Sequence, residues 1–389
     1  MFESDLERVE KEGLYRSLRR IGSSQGRVIT VGGREILQFC SNDYLSLANH
    51  PKIIQTVIEC INKYGWGSGA ARLISGSMGP HLEFEEHIAQ FLDKPAGLLY
   101  SSGYLTNVGI ITSLMGRKDK IFADRLCHAS IIDGMRWSGA KINRFRHNDP
   151  DDLKRLIERS TGGGKLLIVS DGVFSMDGDI APLKELAELA ERYGAILMID
   201  DAHGFGIFGP EGRGVPHHFG VCERVNIHVA TLGKALGGAG GFVTGSRSFI
   251  DGLINFSRSF IFSTAPPPAQ AAAGLASLEL IAGTEGAIRR KRLMKSVERA
   301  LRELAGMGYN TAQTKSQIIP IIIERDDLAA GFAKSLFDNH ILAPLIRPPS
   351  VPKGTSRIRV SLCADHEEGD IGNLIKAFAD LKSLLIDKK

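Results

Sequence analysis

From about residue 95 to residue 245 the chain alternates short apolar runs with helical patterns, and this constrains the fold more than any other feature. The runs fall at 97–100, 120–123, 166–170, 195–199, 227–230 and 241–244. Between them, 182–193 gives the clearest helix. Leu183, Leu186, Ala187, Leu189 and Ala190 fall on one face, Pro182 suits the first turn and Gly194 suits the stop. Strands that alternate with helices predict a mainly parallel sheet covered on both faces, and such sheets bind ligands beyond the carboxyl ends of their strands.

Glycine supports this reading. The chain has 44 glycines in 389 residues, above the roughly 7% of average proteins. They cluster where apolar runs end, as expected of tight loops that approach a ligand closely. Net charge is +4, from 48 basic and 44 acidic residues. This gives no field suited to holding a nucleic acid backbone. No apolar run approaches the ~20 residues a bilayer span needs. The first 25 residues carry charges and no apolar core of a signal peptide. Five scattered cysteines form no C-x-x-C pair, so no disulfide framework is expected. A cytoplasmic protein without membrane or nucleic acid partners is the expectation.

Beyond residue 283 the pattern changes to shorter α+β alternation, with candidate strands at 318–323 and 357–362 and candidate helices at 328–339 and 370–385. The expected organisation is an N-terminal arm (1–45) ending in an extended segment at 36–40, a large domain (46–283) and a small C-terminal α+β domain (284–389).

The residues that end the apolar runs define the chemistry. Asp200-Asp201-Ala202-His203-Gly204 follows one run and Thr231-Leu232-Gly233-Lys234 another. Ser101-Ser102-Gly103-Tyr104, Asp124 with Cys127-His128, and Asp171 with Phe174-Ser175-Met176-Asp177-Gly178 follow three more. A lysine among small residues forms a Schiff base with a carbonyl, and a neighbouring carboxylate keeps a pyridinium nitrogen protonated. Backbone N–H groups at a helix start hold a phosphate, and an imidazole stacks on a ring. These are the requirements of pyridoxal phosphate. A nucleotide-binding P-loop fails, because His228 and Ala235 stand where glycine and a hydroxyl residue are needed. Asp200 with His203 lacks a third metal ligand, and no metal site is expected.

Six segments in order resemble the α-oxoamine synthases, a family of fold-type I pyridoxal phosphate enzymes. They are Cys40-Ser41-Asn42-Asp43-Tyr44-Leu45, Gly67-Ser68-Gly69 with Arg72-Leu73-Ile74-Ser75-Gly76, Asp124 to Ser130, Gly172 to Gly178, Asp200 to Gly204, and Thr231 to Lys234. The resemblance runs from about residue 38 to 362. It implies the aspartate aminotransferase-like fold and roles for individual residues. Lys234 would carry the cofactor and move the substrate Cα proton, Asp200 would pair with the pyridine nitrogen, and His128 would stack on the ring. His203 would contact the ring oxygen, and Ser102, Gly103, Tyr104, Thr231 and Ser175 would lie around the phosphate. Thr264 would reach the phosphate of a partner subunit, making a homodimer with shared sites. Asn42 and Arg359 would hold the amino acid carboxylate, with Arg357 taken to face the other side of its strand. Arg19 would meet the acyl tail or its carrier. Residues 346–352 resemble the branch that condenses L-alanine with a pimeloyl thioester, carried on coenzyme A or an acyl carrier protein. A sister activity on glycine and acetyl-CoA is the alternative. The resemblance has two departures: Thr106 stands before Asn107, and Ser46 replaces a glycine common after Tyr-Leu.

Overall fold

The computed structural model describes residues 1–382. Near the N-terminus, β1 (Val28–Val31) and β2 (Arg34–Gln38) form an antiparallel hairpin. Gly32 and Gly33 make its turn at φ 57° and 78°, the left-handed pair that a two-residue hairpin loop requires.

The central sheet comprises β3 (Ala96–Tyr100), β4 (Lys120–Asp124), β5 (Lys141–Phe145), β6 (Leu166–Asp171), β7 (Ile196–Asp200), β8 (Ile227–Thr231) and β9 (Gly241–Gly245). Their order is β3-β9-β8-β7-β6-β4-β5. Only β9 is reversed, antiparallel to both neighbours. The reversal carries its first residue to the carboxyl edge, where Gly241 pairs with Tyr100 on one side and Thr231 on the other. All six expected strands are present, and β5 is additional. It lies at the sheet edge with only Phe145 fully buried, so it carries no apolar run.

Alternate residues feed two cores. Phe122, Ile168, Leu197 and Ile199 point into one, and Ile121, Ala123, Leu167, Val169 and Met198 into the other. Burying each such side chain contributes about 1.5–3 kcal/mol, and the sheet is sealed on both faces. The helix Leu183–Tyr193 buries Leu183, Leu186, Ala187 and Ala190. Pro182 stands just before its first residue, at the N-cap position and without a side-chain cap, and left-handed Gly194 ends it at φ 60°.

Toward the C-terminus, β10 (Ile318–Glu324), β11 (Ile341–Leu342), β12 (Leu345–Ile346) and β13 (Ser356–Ser361) accompany the helices Thr284–Gly306, Asp326–Asp338 and Glu368–Leu381. Residues 383–385 of the expected last helix lie outside the described residues. Pro320 is tolerated because β10 lies at the edge of its sheet, beside β13. The N-terminal hairpin joins this region, since β2 pairs in parallel with β11. Ser46 has φ 54°, a left-handed conformation that glycine adopts without strain. Among the described residues, no helix is long and apolar enough to cross a membrane, and no group of side chains is arranged to hold a metal.

Candidate active site

A pocket of about 170 Å³ opens at the carboxyl edge of the central sheet, lined by Gly103, Tyr104, Asn107, His128, Asp171, Asp200, Ala202, His203, Thr231 and Lys234 among others. Asp200 ends β7 and is buried. Its Oδ2 accepts a 2.6 Å hydrogen bond from Asn107 Nδ2, and Oδ1 accepts from Ala202 N at 3.1 Å. Asn107 lies on the helix Gly103–Leu114, one turn in from the N-terminus. It also donates to Ser130 Oγ at 2.9 Å, while its own carbonyl oxygen is buried without a partner. The sequence reading missed Asn107; its spacing of four from Gly103, on the face that turns toward the sheet, was the available signal.

Lys234 lies three positions after the end of β8, with Leu232 and Gly233 between. Enclosure by protein lowers its pKa to about 8, although Asp200 and Asp171 pull it upward. The neutral, nucleophilic share of its amine near neutral pH is therefore far larger than in an ordinary exposed lysine. Burial also holds His203 well below the ordinary histidine range, with Lys234 and Arg359 acting in the same sense. Its Nδ1 lies 2.6 Å from Tyr44 Oη. His128 precedes the helix Ala129–Ser138, and its Nδ1 lies 2.7 Å from Ser130 Oγ. Asp171 is the neighbour of Asp200 in the sheet and accepts from His128 N at 3.3 Å. Burial and the Asp200 charge raise its pKa well above the carboxylate range.

The helix start offers an anion cradle. Ser102 Oγ accepts from Leu105 N at 3.2 Å, and Thr231 Oγ1 accepts from Gly233 N at 3.1 Å. A Cβ on Gly241 would lie 2.6 Å from the backbone of Gly103, so only glycine lets this strand start lie against the helix. A helix N-terminus, an enclosed lysine and a buried, donor-bound aspartate around one pocket fit the phosphate, aldehyde and ring nitrogen of pyridoxal phosphate. The orphaned Asn107 oxygen marks a further polar atom available to a ligand.

The remaining expected residues sit around this pocket rather than in its wall. Arg359, on β13, is buried; it donates through Nε to Ser175 O at 2.6 Å and through Nη2 to Asn42 Oδ1 at 3.5 Å and Tyr44 Oη at 3.4 Å. Arg357 corrects the sequence reading. Residues two apart on a strand share a face, and Arg357 turns to the same loop as Arg359, pairing with Asp177 at 2.5 Å and Met176 O at 3.1 Å. Arg19 stacks 4.6 Å over Phe337. Thr264 is exposed and bridges to Ala71. The basic side of the helix Thr284–Gly306 is partly neutralised by its own fold: Arg289 pairs with Glu285 and Asp365, and Lys295 with Glu368.

A sheet of this order with one reversed strand, bearing a lysine and an aspartate around a single pocket at its carboxyl edge, defines a fold-type I pyridoxal-phosphate-dependent transferase. The sequence profile "Aminotransferase class I and II" matches residues 34–378, and the chain belongs to that family. It is 45% identical to the 8-amino-7-oxononanoate synthase of Geobacter sulfurreducens over 96% of each chain. It is 43% identical to that of Herminiimonas arsenicoxydans over 96% of this chain and 97% of the relative. Among solved structures, Sphingomonas wittichii serine palmitoyltransferase superposes with a TM-score of 0.93 at 29% identity, covering 99% of this chain and 97% of that one. Francisella tularensis 8-amino-7-oxononanoate synthase gives 0.78 at 29% identity, covering 91% and 98%.

Proposed function

We propose that this enzyme condenses L-alanine with a pimeloyl thioester and releases 8-amino-7-oxononanoate, carbon dioxide and the free thiol, a step of biotin biosynthesis. The observation that carries the chemistry is Lys234, with a pKa lowered to about 8, sharing a pocket with Asp200. The relatives at about 45% identity over nearly the whole chain support the choice of substrates.

When bound, pyridoxal phosphate supplies an electron sink for the carbanion at the amino acid Cα. The chain's own residues do the rest. The Lys234 amine would hold the cofactor through its aldehyde and would take the alanine Cα proton and later return one. Asp200, fixed by Asn107, holds the proton on the ring nitrogen. Gly103, Tyr104, Ser102 and Thr231 hold the phosphate at the helix start, whereas Ser175, expected there too, lies by Arg359 and lines a separate cavity. His128 packs on the ring. Neutral His203, oriented by Tyr44, presents its free ring nitrogen to the ring oxygen and the incoming acyl carbonyl. Arg359 and Asn42 take the alanine carboxylate, and the fixed guanidinium aims the bond lost as carbon dioxide. Arg19 meets the acyl substrate from outside.

Homodimerisation is part of this proposal. Trp66, Leu73, Ile74 and Phe262 are exposed on the segments flanking the Ala71–Thr264 bridge. A second copy covering them would bring Thr264 to the neighbouring phosphate site. A cytoplasmic location accords with five cysteines that are all free.

The test is product analysis by mass spectrometry with L-alanine, glycine or L-serine against pimeloyl-CoA and acetyl-CoA. The proposal expects 8-amino-7-oxononanoate from the alanine–pimeloyl pair alone. Turnover confined to glycine with acetyl-CoA would replace it with the sister activity.

A further inference from the structure

A second cavity, of about 460 Å³, is lined by sequence neighbours of residues that line the first. His128 lines the first, and its neighbours Cys127 and Ala129 line the second; Asp171 lines the first, and Phe174 and Ser175 line the second. Leu126, Ile132, Met176 and Val351 make much of its wall apolar. Its size lies within the range that takes a small organic ligand.

Two arginines stand in this wall without an acidic partner. Arg125 follows β4, Arg144 lies on β5, and the two strands run side by side, with Arg125 N donating to Phe145 O at 3.1 Å. Both side chains are exposed, and no ion pair to either is found among the described residues. Arg144 gives one N–H to the carbonyl of Arg125, which leaves its other donors open. The only carboxylate in the lining, Asp177, is committed to Arg357 at 2.5 Å. Two like charges on adjacent strands repel each other and favour an anion between them. Guanidinium groups suit a carboxylate or phosphate through paired N–H donors. The wall thus has the character of a flexible methylene chain's partner, apolar along its length and cationic at one place.

We propose that Arg125 and Arg144 form an anion subsite of the acyl thioester, and that the cavity beside Ser175 takes its chain. This rests on the proposed reaction. It also gives residues 349–352, which line the same cavity, a direct part in choosing the acyl group. The anion is either the far carboxylate of the seven-carbon diacid or a phosphate of the thioester carrier; the chemistry is shared.

The experiment compares wild-type holoenzyme with Arg125→Gln, Arg144→Gln and the double variant. KM and calorimetric Kd are measured for pimeloyl-CoA, for heptanoyl-CoA, which lacks the far carboxylate, and for pimeloyl-N-acetylcysteamine, which lacks phosphates. Loss of a charge-assisted contact raises KM and Kd for pimeloyl-CoA about tenfold per arginine, with kcat and the alanine-induced absorbance change retained. A penalty kept with pimeloyl-N-acetylcysteamine and absent with heptanoyl-CoA assigns the subsite to the carboxylate. A penalty kept with heptanoyl-CoA and absent with pimeloyl-N-acetylcysteamine assigns it to the carrier phosphate. Unchanged Kd for all three thioesters in the double variant overturns the subsite. Wild-type protein that forms no product overturns the reaction instead, and the calorimetric comparison still decides the subsite.

Discussion

Replacing Arg72 by methionine isolates the cost of one buried ion pair behind the active site. Arg72 Nη1 and Nη2 donate to the two oxygens of Glu85 at 2.9 and 3.0 Å, and Nε donates to Ser77 Oγ at 2.8 Å. The side chains are 4% and 10% exposed, so water cannot replace the lost partner. With Arg72 gone, Glu85 keeps one donor, the Leu99 backbone N–H at 2.8 Å. Removing one member of such a pair costs about 3–5 kcal/mol. Burial already raises the Glu85 pKa against the pull of Arg72, and losing the arginine raises it further. The folded variant then binds a proton that the unfolded chain releases, so its stability falls as pH rises above the unfolded carboxyl value. Urea unfolding of the cofactor-free protein, followed by circular dichroism, should show a larger deficit at pH 8 than at pH 5. Glu85→Gln combined with Arg72→Met should recover part of the loss, since no buried charge is left. An Arg72→Met deficit below about 1 kcal/mol, the size of an exposed pair, or one independent of pH, would show that the pair is not a desolvated one.

Three further predictions concern the site and the loops that support it. Gly241→Ala sets a methyl group 2.5 Å from Thr106 Oγ1 and 2.6 Å from the Gly103 backbone; it should weaken pyridoxal phosphate binding about tenfold or more, at a cost of roughly 1–3 kcal/mol for overpacking, as read by fluorescence titration. Cofactor capture by the cofactor-free enzyme, followed by stopped-flow absorbance, should reach half its maximal rate near the Lys234 pKa of about 8; Asp200→Asn should shift that midpoint downward, because the Asp200 charge helps to hold it up. His147 bridges Asp124 and Asp179 at 3.0 and 2.7 Å; burial works against its charge, but these two carboxylates raise its pKa from 6.5 to about 10. Its contribution is therefore complete below pH 6.5 and lost as pH rises through about 10, so the stability gap between wild type and His147→Gln should close above that pH.

What the sequence made legible follows from where each signal lies. The inner strands are buried on both faces and write themselves as apolar runs, and several residues that line the pocket at the carboxyl edge come just after those runs. That is why Asp200, Lys234, His128 and His203, which line that one pocket, stand out in the sequence. Edge strand β5 does not, because Lys141, Ile142 and Arg144 are exposed and no run marks it. The partnership of Asn107 with Asp200, 93 positions apart, depends on the rotation of one helix over the sheet. Likewise, the joining of β2 to β11 is a pairing of distant segments that local pattern does not encode. Arg357 shows a different failure: the residue was seen, but its face on the strand was misjudged.

The proposed reaction depends on Lys234 being the residue that binds pyridoxal phosphate covalently. The direct test is borohydride reduction of the protein loaded with the cofactor, followed by protease digestion and mass spectrometry. A phosphopyridoxyl label is expected on the peptide containing Lys234, and it should be lost in Lys234→Ala, which should still fold. A label on another lysine, or none on a protein that has visibly bound the cofactor, would contradict it.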